Sequence, residues 1–185
     1  ERGDYATALR MYVSLASKGD ARSQVNLGAM YDAGEGVERN YIEAVKWYRM
    51  AAENGLSVAQ FLLGVMYENG HGVAQDFVQT AAWYRLAAMQ GHPMAQRSLG
   101  KALLRGRGVP QSHVEAARWL RLASALGDSD AQTVLATMYA FGEGLPVDLV
   151  RAHMWSNLGA MSGSKLANEV RETIAKSMTA HQIAR

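Results

Sequence analysis

The sequence predicts an all-α protein, a solenoid of helical hairpins that repeat every 36 residues. The first observation behind this prediction is that the four tryptophans lie one period apart, at Trp47, Trp83, Trp119 and Trp155. The second is a pair of glycines around one variable residue, at Gly34 and Gly36, Gly70 and Gly72, Gly106 and Gly108, and Gly142 and Gly144. A fixed period of about 20 to 50 residues is the signature of an array. Because a unit of this length is too short to bury a core alone, each unit must pack against its neighbours.

Each repeat is predicted to contain two helices, because both of its halves carry apolar residues at helical spacing. Examples are Phe61, Gly64, Val65 and Tyr67 in one first half, and Trp83, Tyr84, Ala87 and Ala88 in the following second half. The second helix begins at a residue whose side-chain oxygen can accept from the first-turn N–H groups. These residues are Asp4, Asn40, Asp76, Ser112 and Asp148. Three of them are followed three residues later by Glu43, Gln79 and Glu115, which predicts reciprocal capping boxes.

The turn between the two helices is predicted to depend on the second glycine of each pair, which lets the chain change direction sharply. These glycines are Gly36, Gly72, Gly108 and Gly144. Small residues such as Ala88 recur on the second helix, so we expect neighbouring helices to approach closely, with the tryptophan filling the gap between hairpins. Replacing a tryptophan buried in this way, such as Trp83, by alanine would cost about 3 to 5 kcal/mol.

The repeat register predicts one repeat domain over residues 1–185. Residues 1–19 align with the second half of a truncated repeat, so part of a hairpin is expected upstream. Four full repeats follow, at residues 20–55, 56–91, 92–127 and 128–163. Residues 164–185 are predicted to form an amphipathic helix, Lys165 to Ser177, that covers the end of the stack, and a short tail.

The composition excludes several classes of function. The formal charge of +2 is far below the dense positive charge of non-specific nucleic-acid binders. There is no cysteine, so thiolate nucleophiles and thiolate metal sites are ruled out. No apolar run approaches the ~20 residues that span a bilayer.

Candidate catalytic motifs are weak. The segments Ser98 to Lys101 and Ser162 to Lys165 match the S-x-x-K motif of serine penicillin-interacting enzymes, but neither the S-D-N nor the K-T-G element of those enzymes follows. The histidines lack metal-ligand spacing; they are His71, His92, His113, His153 and His181. We therefore expect no catalytic residue, no metal and no cofactor.

One repeat shows the motifs that carry a family resemblance. It contains Ser57-Val-Ala-Gln60, Leu63-Gly64-Val65-Met66-Tyr67, Gly70-His71-Gly72-Val73, Ala82-Trp83-Tyr84 and Ala87-Ala88, and Gly91 closes it. This pattern resembles the Sel-one-like repeat (SLR) family, which is related to the tetratricopeptide repeats, and the resemblance extends over residues 4–163. The departures are Leu103, Leu120 and Ser156 at tyrosine positions and Ala136 at the position of Gly64.

The resemblance implies a right-handed superhelix whose first helices line a concave groove. It also implies a non-catalytic adaptor role in bacterial envelope processes, virulence or signalling. The opening residues Gly3 to Leu9 are similar to the mature start of bacterial members that carry a secretion signal, which favours the periplasm or envelope.

The groove positions implied by the resemblance recur in each first helix, and we call them the first-helix face. They are Arg22, Val25, Ala29, Asp32 and Ala33; Val58, Phe61, Val65, Glu68 and Asn69; Met94, Arg97, Lys101, Leu104 and Arg105; and Asp130, Thr133, Thr137, Ala140 and Phe141. Among these, Arg97, Lys101 and Arg105 share one side of a helix. With Phe61 and Phe141 as aromatic anchors, they predict a peptide partner that carries an acidic side chain or a carboxylate.

The alternative interpretation of this face is that its cations are solvated and its phenylalanines pack between helices. For the whole chain, the predicted function is a protein-interaction scaffold. A cell-wall enzyme or peptidoglycan-binding protein is the alternative, and it would need convergent ionisable groups in the groove. Single-stranded RNA binding is a third class, which the low charge disfavours.

Overall fold

The computed structural model describes residues 5–179 and residue 182, and within these it contains ten α-helices and no strand. Two compact units divide the chain, Glu1–Gln90 and Gly91–Arg185. The first unit contains α1 (Tyr5–Ala16), α2 (Ala21–Ala33), α3 (Tyr41–Glu53), α4 (Ser57–Asn69) and α5 (Phe77–Met89). The second contains α6 (Pro93–Arg105), α7 (His113–Ala125), α8 (Ser129–Phe141), α9 (Leu149–Met161) and α10 (Lys165–Lys176). The predicted all-α repeat fold is confirmed.

Each unit is a stack of hairpins. In the first unit α2 packs on α3 and α4 on α5, and the second helix of one hairpin contacts the first helix of the next, as α3 does with α4. In the second unit α6 pairs with α7 and α8 with α9, while α10 packs on both α8 and α9. Within each unit, a first helix therefore packs both on its partner helix and on the hairpin before it, as short repeats require.

A tyrosine on the second helix fills the centre of each hairpin of the first unit. Tyr48 and Tyr84 are almost wholly buried, and each ring lies against a glycine of the preceding first helix, Gly28 or Gly64. A methyl group added at Gly64 would lie 2.7 Å from the Tyr84 ring. Because real side chains do not approach this closely, the glycine is required by the ring.

The second unit shows the same relation with smaller residues. Leu120 replaces the tyrosine and still occupies the space beside Gly100. In the last hairpin Ser156 replaces it, and there alanine, Ala136, is found in place of the glycine, both side chains being fully buried. The two departures from the repeat pattern therefore compensate each other, since the volume lost at one position is partly regained at the other.

The predicted helix caps are confirmed at the described positions. Asn40 and Asp76 each accept hydrogen bonds from two backbone N–H groups of the first turn, and Ser112 and Asp148 each accept one. Asp4 lies outside the described residues, as do Gly3 and His181. First helices are also capped, for example by Asp20, whose carboxylate accepts from the Ser23 N–H. Hydrogen bonds from the Ser23 hydroxyl and from this N–H lower the pKa of Asp20.

The capping boxes are not formed as predicted. The backbone N–H of Asn40 donates to the Tyr31 carbonyl, and that of Asp76 donates to the Tyr67 carbonyl. Ser112 and Asp148 donate in the same way to Leu103 and Tyr139. Since this N–H is already used by the first helix of the hairpin, Glu43 and Gln79 make no reciprocal bond to it within the described residues.

The glycine pair ends each first helix and then brings the turn against the preceding hairpin. Gly34, Gly70, Gly106 and Gly142 adopt the left-handed conformation that closes a helix. The second glycine, Gly72, also has a positive φ and lies directly over the backbone of Tyr41 and Ile42 at the start of α3. His71, between the two glycines, stacks on the Tyr41 ring with 4.5 Å between centroids.

In α2, α4 and α8 a buried glutamine ties the first helix to the helix before it. The side-chain amide of Gln24 donates to the Ala16 carbonyl, that of Gln60 to Ala52, and that of Gln132 to Ser124. Each acceptor carbonyl lies eight residues earlier, in the last turn of the preceding second helix. The repeated glutamine is thus a joint between consecutive hairpins.

The tryptophans are less buried than the sequence suggested. Trp47, Trp83, Trp119 and Trp155 are all only partly buried, and Trp83 packs at the edge of the core cluster formed by α3 and α4. The sequence placed the tryptophan in the gap between hairpins; Trp83 contacts the cluster of α3 and α4 but keeps part of its surface exposed, while the adjacent residue, Tyr84, fills the space beside Gly64 inside its own hairpin. Two neighbouring helix positions differ by about 100° around the axis, so only one of them can point into the hairpin.

Replacing Trp83 by alanine is therefore expected to lower the free energy of unfolding by about 2 kcal/mol, less than the loss for a fully buried aromatic. The indole N–H has no partner among the described residues, so its removal breaks no hydrogen bond. Urea unfolding followed by circular dichroism measures the loss. A loss as large as that of Tyr84→Ala would contradict the peripheral placement of Trp83.

Candidate functional site

The first-helix face of the first unit is held mainly by contacts within its own hairpins. Glu68 accepts a 2.6 Å hydrogen bond from the Tyr84 hydroxyl, and the Asp32 carboxylate lies 3.5 Å from the Tyr48 hydroxyl. Burial, with the negative charge of Asp32 beside it, raises the pKa of Tyr48, so this phenol stays protonated. Val65 is half-buried. The one basic residue of this part of the face, Arg22, is exposed at the beginning of α2 and makes no ion pair within the described residues.

Phe61 does not provide the exposed aromatic anchor that the sequence suggested. Its side chain is only 8% exposed and stacks on Tyr84, with 5.5 Å between ring centroids. The corresponding residue of the last repeat, Thr133, is also buried. Phe61 therefore turns toward the second helix of its own hairpin, which agrees with the alternative interpretation, packing between helices.

Arg97 occupies the same repeat position on α6 and is neutralised by the next hairpin. One of its terminal nitrogens lies 3.1 Å from Asp128 and 2.9 Å from Asp130, at the beginning of α8. Asp128 is mostly buried and also caps α8 through the Ala131 N–H. Arg97 is thus a joint between two hairpins, and its charge is not available to a partner in the way the sequence predicted.

Within the second unit, Lys101 and Arg105 are the unpaired cations of this face. They lie one and two turns beyond Arg97 on α6, Lys101 half-buried and Arg105 exposed. Neither makes an ion pair or a hydrogen bond to another side chain within the described part of the chain. Four residues of helix separate them by about 6 Å, so both can reach one acidic segment.

Phe141 is the exposed aromatic of the second unit. It ends α8 immediately before Gly142, and 69% of its surface is accessible. With residues of α10 it borders a cavity of about 250 Å³. Glycine ends the helix here and the chain turns away, so no later side chain of the hairpin covers the ring.

The contribution of α10 was missed from the sequence, which treated this helix only as a cap. Its N-cap Ser164 stands one period after Asp128, and its buried Ala167 one period after the buried Ala131. Helix α10 therefore occupies the repeat register of a first helix. The signal that would have found it is the 36-residue register, continued past Gly163.

No group of three or more histidine, aspartate or glutamate side chains is placed to hold a metal ion within residues 5–179 and 182. In the same part of the chain, no helix has the length and apolar character needed to cross a bilayer.

The comparisons with known proteins agree with this architecture. A family model described as the Sel1 repeat matches residues 21–56, 57–92, 93–128 and 129–164. No sequence among the curated proteins is detectably similar. Among solved structures, a protective antigen present in uropathogenic Escherichia coli strains, which displays an SLR fold, is 38% identical, with a TM-score of 0.86. The match covers 89% of this chain and 35% of that one.

Two further structures are similar. A Sel1 repeat protein from Oxalobacter formigenes is 37% identical with a TM-score of 0.78, over 81% of this chain and 62% of that one. Cysteine rich protein B of Helicobacter pylori, at 23% identity, a TM-score of 0.58 and 72% and 96% coverage, shares the fold. This chain spans about a third of the first relative and less than two thirds of the second. The family model matches most of the chain, which therefore belongs to the Sel1 repeat family, whose members generally act as protein-interaction scaffolds.

Proposed function

We propose that the chain is a non-catalytic scaffold that binds an extended peptide through the first-helix face of its second unit. The peptide carries an acidic side chain or a terminal carboxylate that pairs with Lys101 and Arg105. The observation that carries this proposal is that these two cations are unpaired, whereas Arg97, on the same helix face, is bound by Asp128 and Asp130. The free pair is the charge that a partner can still neutralise.

The expected affinity is modest. Exposed ion pairs contribute about 0.2 to 1 kcal/mol each and are weakened by salt, so Lys101 and Arg105 supply selectivity more than strength. A guanidinium can bind a carboxylate with two parallel hydrogen bonds, which favours Arg105 as the orienting contact. Apolar contacts beside the cations must provide the remaining affinity, and Phe141 is the exposed aromatic of the same unit.

A bacterial envelope, virulence or signalling process is the proposed setting. This setting is supported by the similarity of the chain to a protective antigen of uropathogenic strains and to a second bacterial repeat protein. In such settings a scaffold with short linear partners can hold several proteins together without a catalytic centre.

The double variant Lys101→Glu/Arg105→Glu is expected to bind acidic peptides more weakly than the parent. A random peptide library displayed on phage is selected against the whole chain, and an enriched acidic peptide is then measured by fluorescence polarisation. Removing two attractive charges and introducing two repulsive ones should weaken binding about ten-fold at low ionic strength, and less at high salt.

The matched control is Lys18→Glu/Arg118→Glu, which makes the same charge change at exposed positions outside the first-helix face. It should bind the enriched peptide as the parent does. If the parent enriches no acidic residues, or if both double variants lose binding equally, the proposed role of Lys101 and Arg105 is wrong.

A further inference from the structure

We infer that the cavity between α8 and α10 is a specificity pocket for one large apolar side chain of a partner segment, flanked by a lysine or arginine. This inference rests on the proposed function, since it names a second feature of the same peptide. The cavity belongs wholly to the second unit. We call it the α8–α10 pocket; Thr137, Ala140 and Phe141 line it from α8, and Leu166, Glu169 and Thr173 line it from α10.

The pocket is a product of the repeat register. Leu166, Glu169 and Thr173 stand one period after Asp130, Thr133 and Thr137, which are positions of the first-helix face. Two consecutive first helices thus present equivalent positions toward one cavity. The pocket therefore continues the face that carries Lys101 and Arg105, and one extended segment can contact both.

The size and rim of the pocket suit an aromatic or long aliphatic side chain. Its volume is about 250 Å³. An apolar cavity of ~150 Å³ is enough to hold benzene, so a whole phenylalanine or leucine side chain fits here. Phe141 and Leu166, 69% and 60% exposed, stand at the opening, and Val170 and Ile174 add apolar surface from α10.

The hydroxyl groups of the lining make no demand on the occupant. The Thr137 hydroxyl donates to the Thr133 carbonyl, and the Thr173 hydroxyl donates to the Glu169 carbonyl. With both donors already used inside their own helices, the pocket wall behaves as an apolar surface. An apolar side chain can enter without leaving a buried donor unpaired.

Glu169 sets the charge of the neighbouring residue. It is the charged residue of the lining, it is exposed, and its carboxylate makes no ion pair within the described part of the chain. Lys165, one turn earlier on the same helix, does not pair with it. A cation next to the apolar side chain of the partner would face this carboxylate, so an arginine or lysine there is favoured over an acidic residue.

The test uses defined peptides and the whole chain. The probe is the pentapeptide Gly-Arg-Phe-Arg-Gly, acetylated and amidated, titrated into isotopically labelled protein and followed by backbone amide chemical shifts. We expect shifts localised to the ends of α8 and α10 that line the pocket. Replacing Phe by Ala in the peptide should weaken binding about ten-fold, because a buried aromatic side chain is lost. Replacing both Arg by Glu should weaken it similarly.

Protein variants separate the pocket from the general surface. Ala140→Leu narrows the cavity and Phe141→Ser removes its rim, and each should abolish the preference for Phe over Ala. Met161→Ser, which removes an even more exposed apolar side chain from α9, is the control for Phe141→Ser. Glu169→Lys should invert the preference for Arg over Glu, while Glu172→Lys, outside the lining, should not.

The inference is overturned if the Phe and Ala peptides bind alike, if shifts fall elsewhere, or if Glu169→Lys acts no differently from Glu172→Lys. These outcomes are independent of Lys101 and Arg105. If the Lys101→Glu/Arg105→Glu variant no longer binds acidic peptides, but the parent binds the Phe and Ala peptides equally well, the proposed function is retained and the pocket is rejected. If instead the parent prefers the Phe peptide and the Lys101→Glu/Arg105→Glu variant binds acidic peptides as the parent does, the pocket is retained and the proposed acidic partner is rejected.

Discussion

Replacing Tyr84 by alanine is expected to destabilise the protein by about 3 to 5 kcal/mol, the loss found for fully buried aromatic residues. The side chain is 2% exposed, stacks on Phe61, and donates its hydroxyl to Glu68. Its removal leaves a cavity inside one hairpin and an unpaired carboxylate at the surface of α4. The free energy of unfolding, measured with urea and followed by circular dichroism, gives the loss.

Tyr84→Phe is the matched control, since it retains the ring and removes only the hydrogen bond to Glu68. Its cost should be about 1.5 to 3 kcal/mol at most, the range for a hydrogen bond to a charged group. If Tyr84→Ala costs no more than Tyr84→Phe, the ring does not fill the hairpin in the way its burial indicates.

The same residue is expected to couple to Gly64 across the hairpin. Gly64→Ala alone should cost about 1 to 3 kcal/mol, because its methyl group would lie 2.7 Å from the Tyr84 ring. In the Tyr84→Ala background the ring is gone, so the added methyl should be neutral or stabilising, as alanine is in a helix. A double-mutant cycle measures this coupling. Strictly additive effects would contradict the contact.

Gly72→Ala should also be strongly destabilising, by about 2 to 5 kcal/mol. Gly72 has φ +70°, where an L side chain is strained, and its added methyl group would overlap the backbone of Tyr41 and Ile42. The turn must therefore move away from the preceding hairpin. Thermal and urea unfolding by circular dichroism measure the effect.

Gly55→Ala is the control for Gly72→Ala. Gly55 has φ +85°, but no atom lies within 4 Å of the position of an added methyl group. Gly55→Ala should lower the free energy of unfolding only through the strain of an L residue at positive φ, by about 1 to 2 kcal/mol. Equal losses for the two variants would show that the close approach of Gly72 to α3 does not matter for stability.

The period and the caps were readable from the sequence because both depend on local spacing. Asp76 and its equivalents needed only the polar residue before an apolar helical pattern. The failed capping boxes had a different cause, since the N–H of Asn40 is used by a carbonyl of the other helix of the hairpin. That choice depends on how two helices pack, which spacing within one helix does not contain.

The candidate site was less predictable, for the same physical reason. The partners of Arg97, Asp128 and Asp130, lie 31 and 33 positions further along the chain. The residue pattern of α6 alone therefore does not predict these ion pairs. Phe61 looked exposed by register, but its ring is large enough to reach Tyr84. Which cations remain free became visible only once neighbouring hairpins were placed beside each other.

The glutamine joints have a consequence for how such chains can change. Gln24, Gln60 and Gln132 donate to main-chain carbonyls, which every amino acid possesses, and the acceptor residue is alanine in two cases and serine in the third. A joint of this kind does not constrain the residues displayed on either helix. A repeat that is duplicated or exchanged in frame carries its own glutamine and its own acceptor carbonyl, so it can make the same hydrogen bonds to its new neighbours. Such arrays can therefore lengthen or acquire new recognition surfaces in a single genetic step.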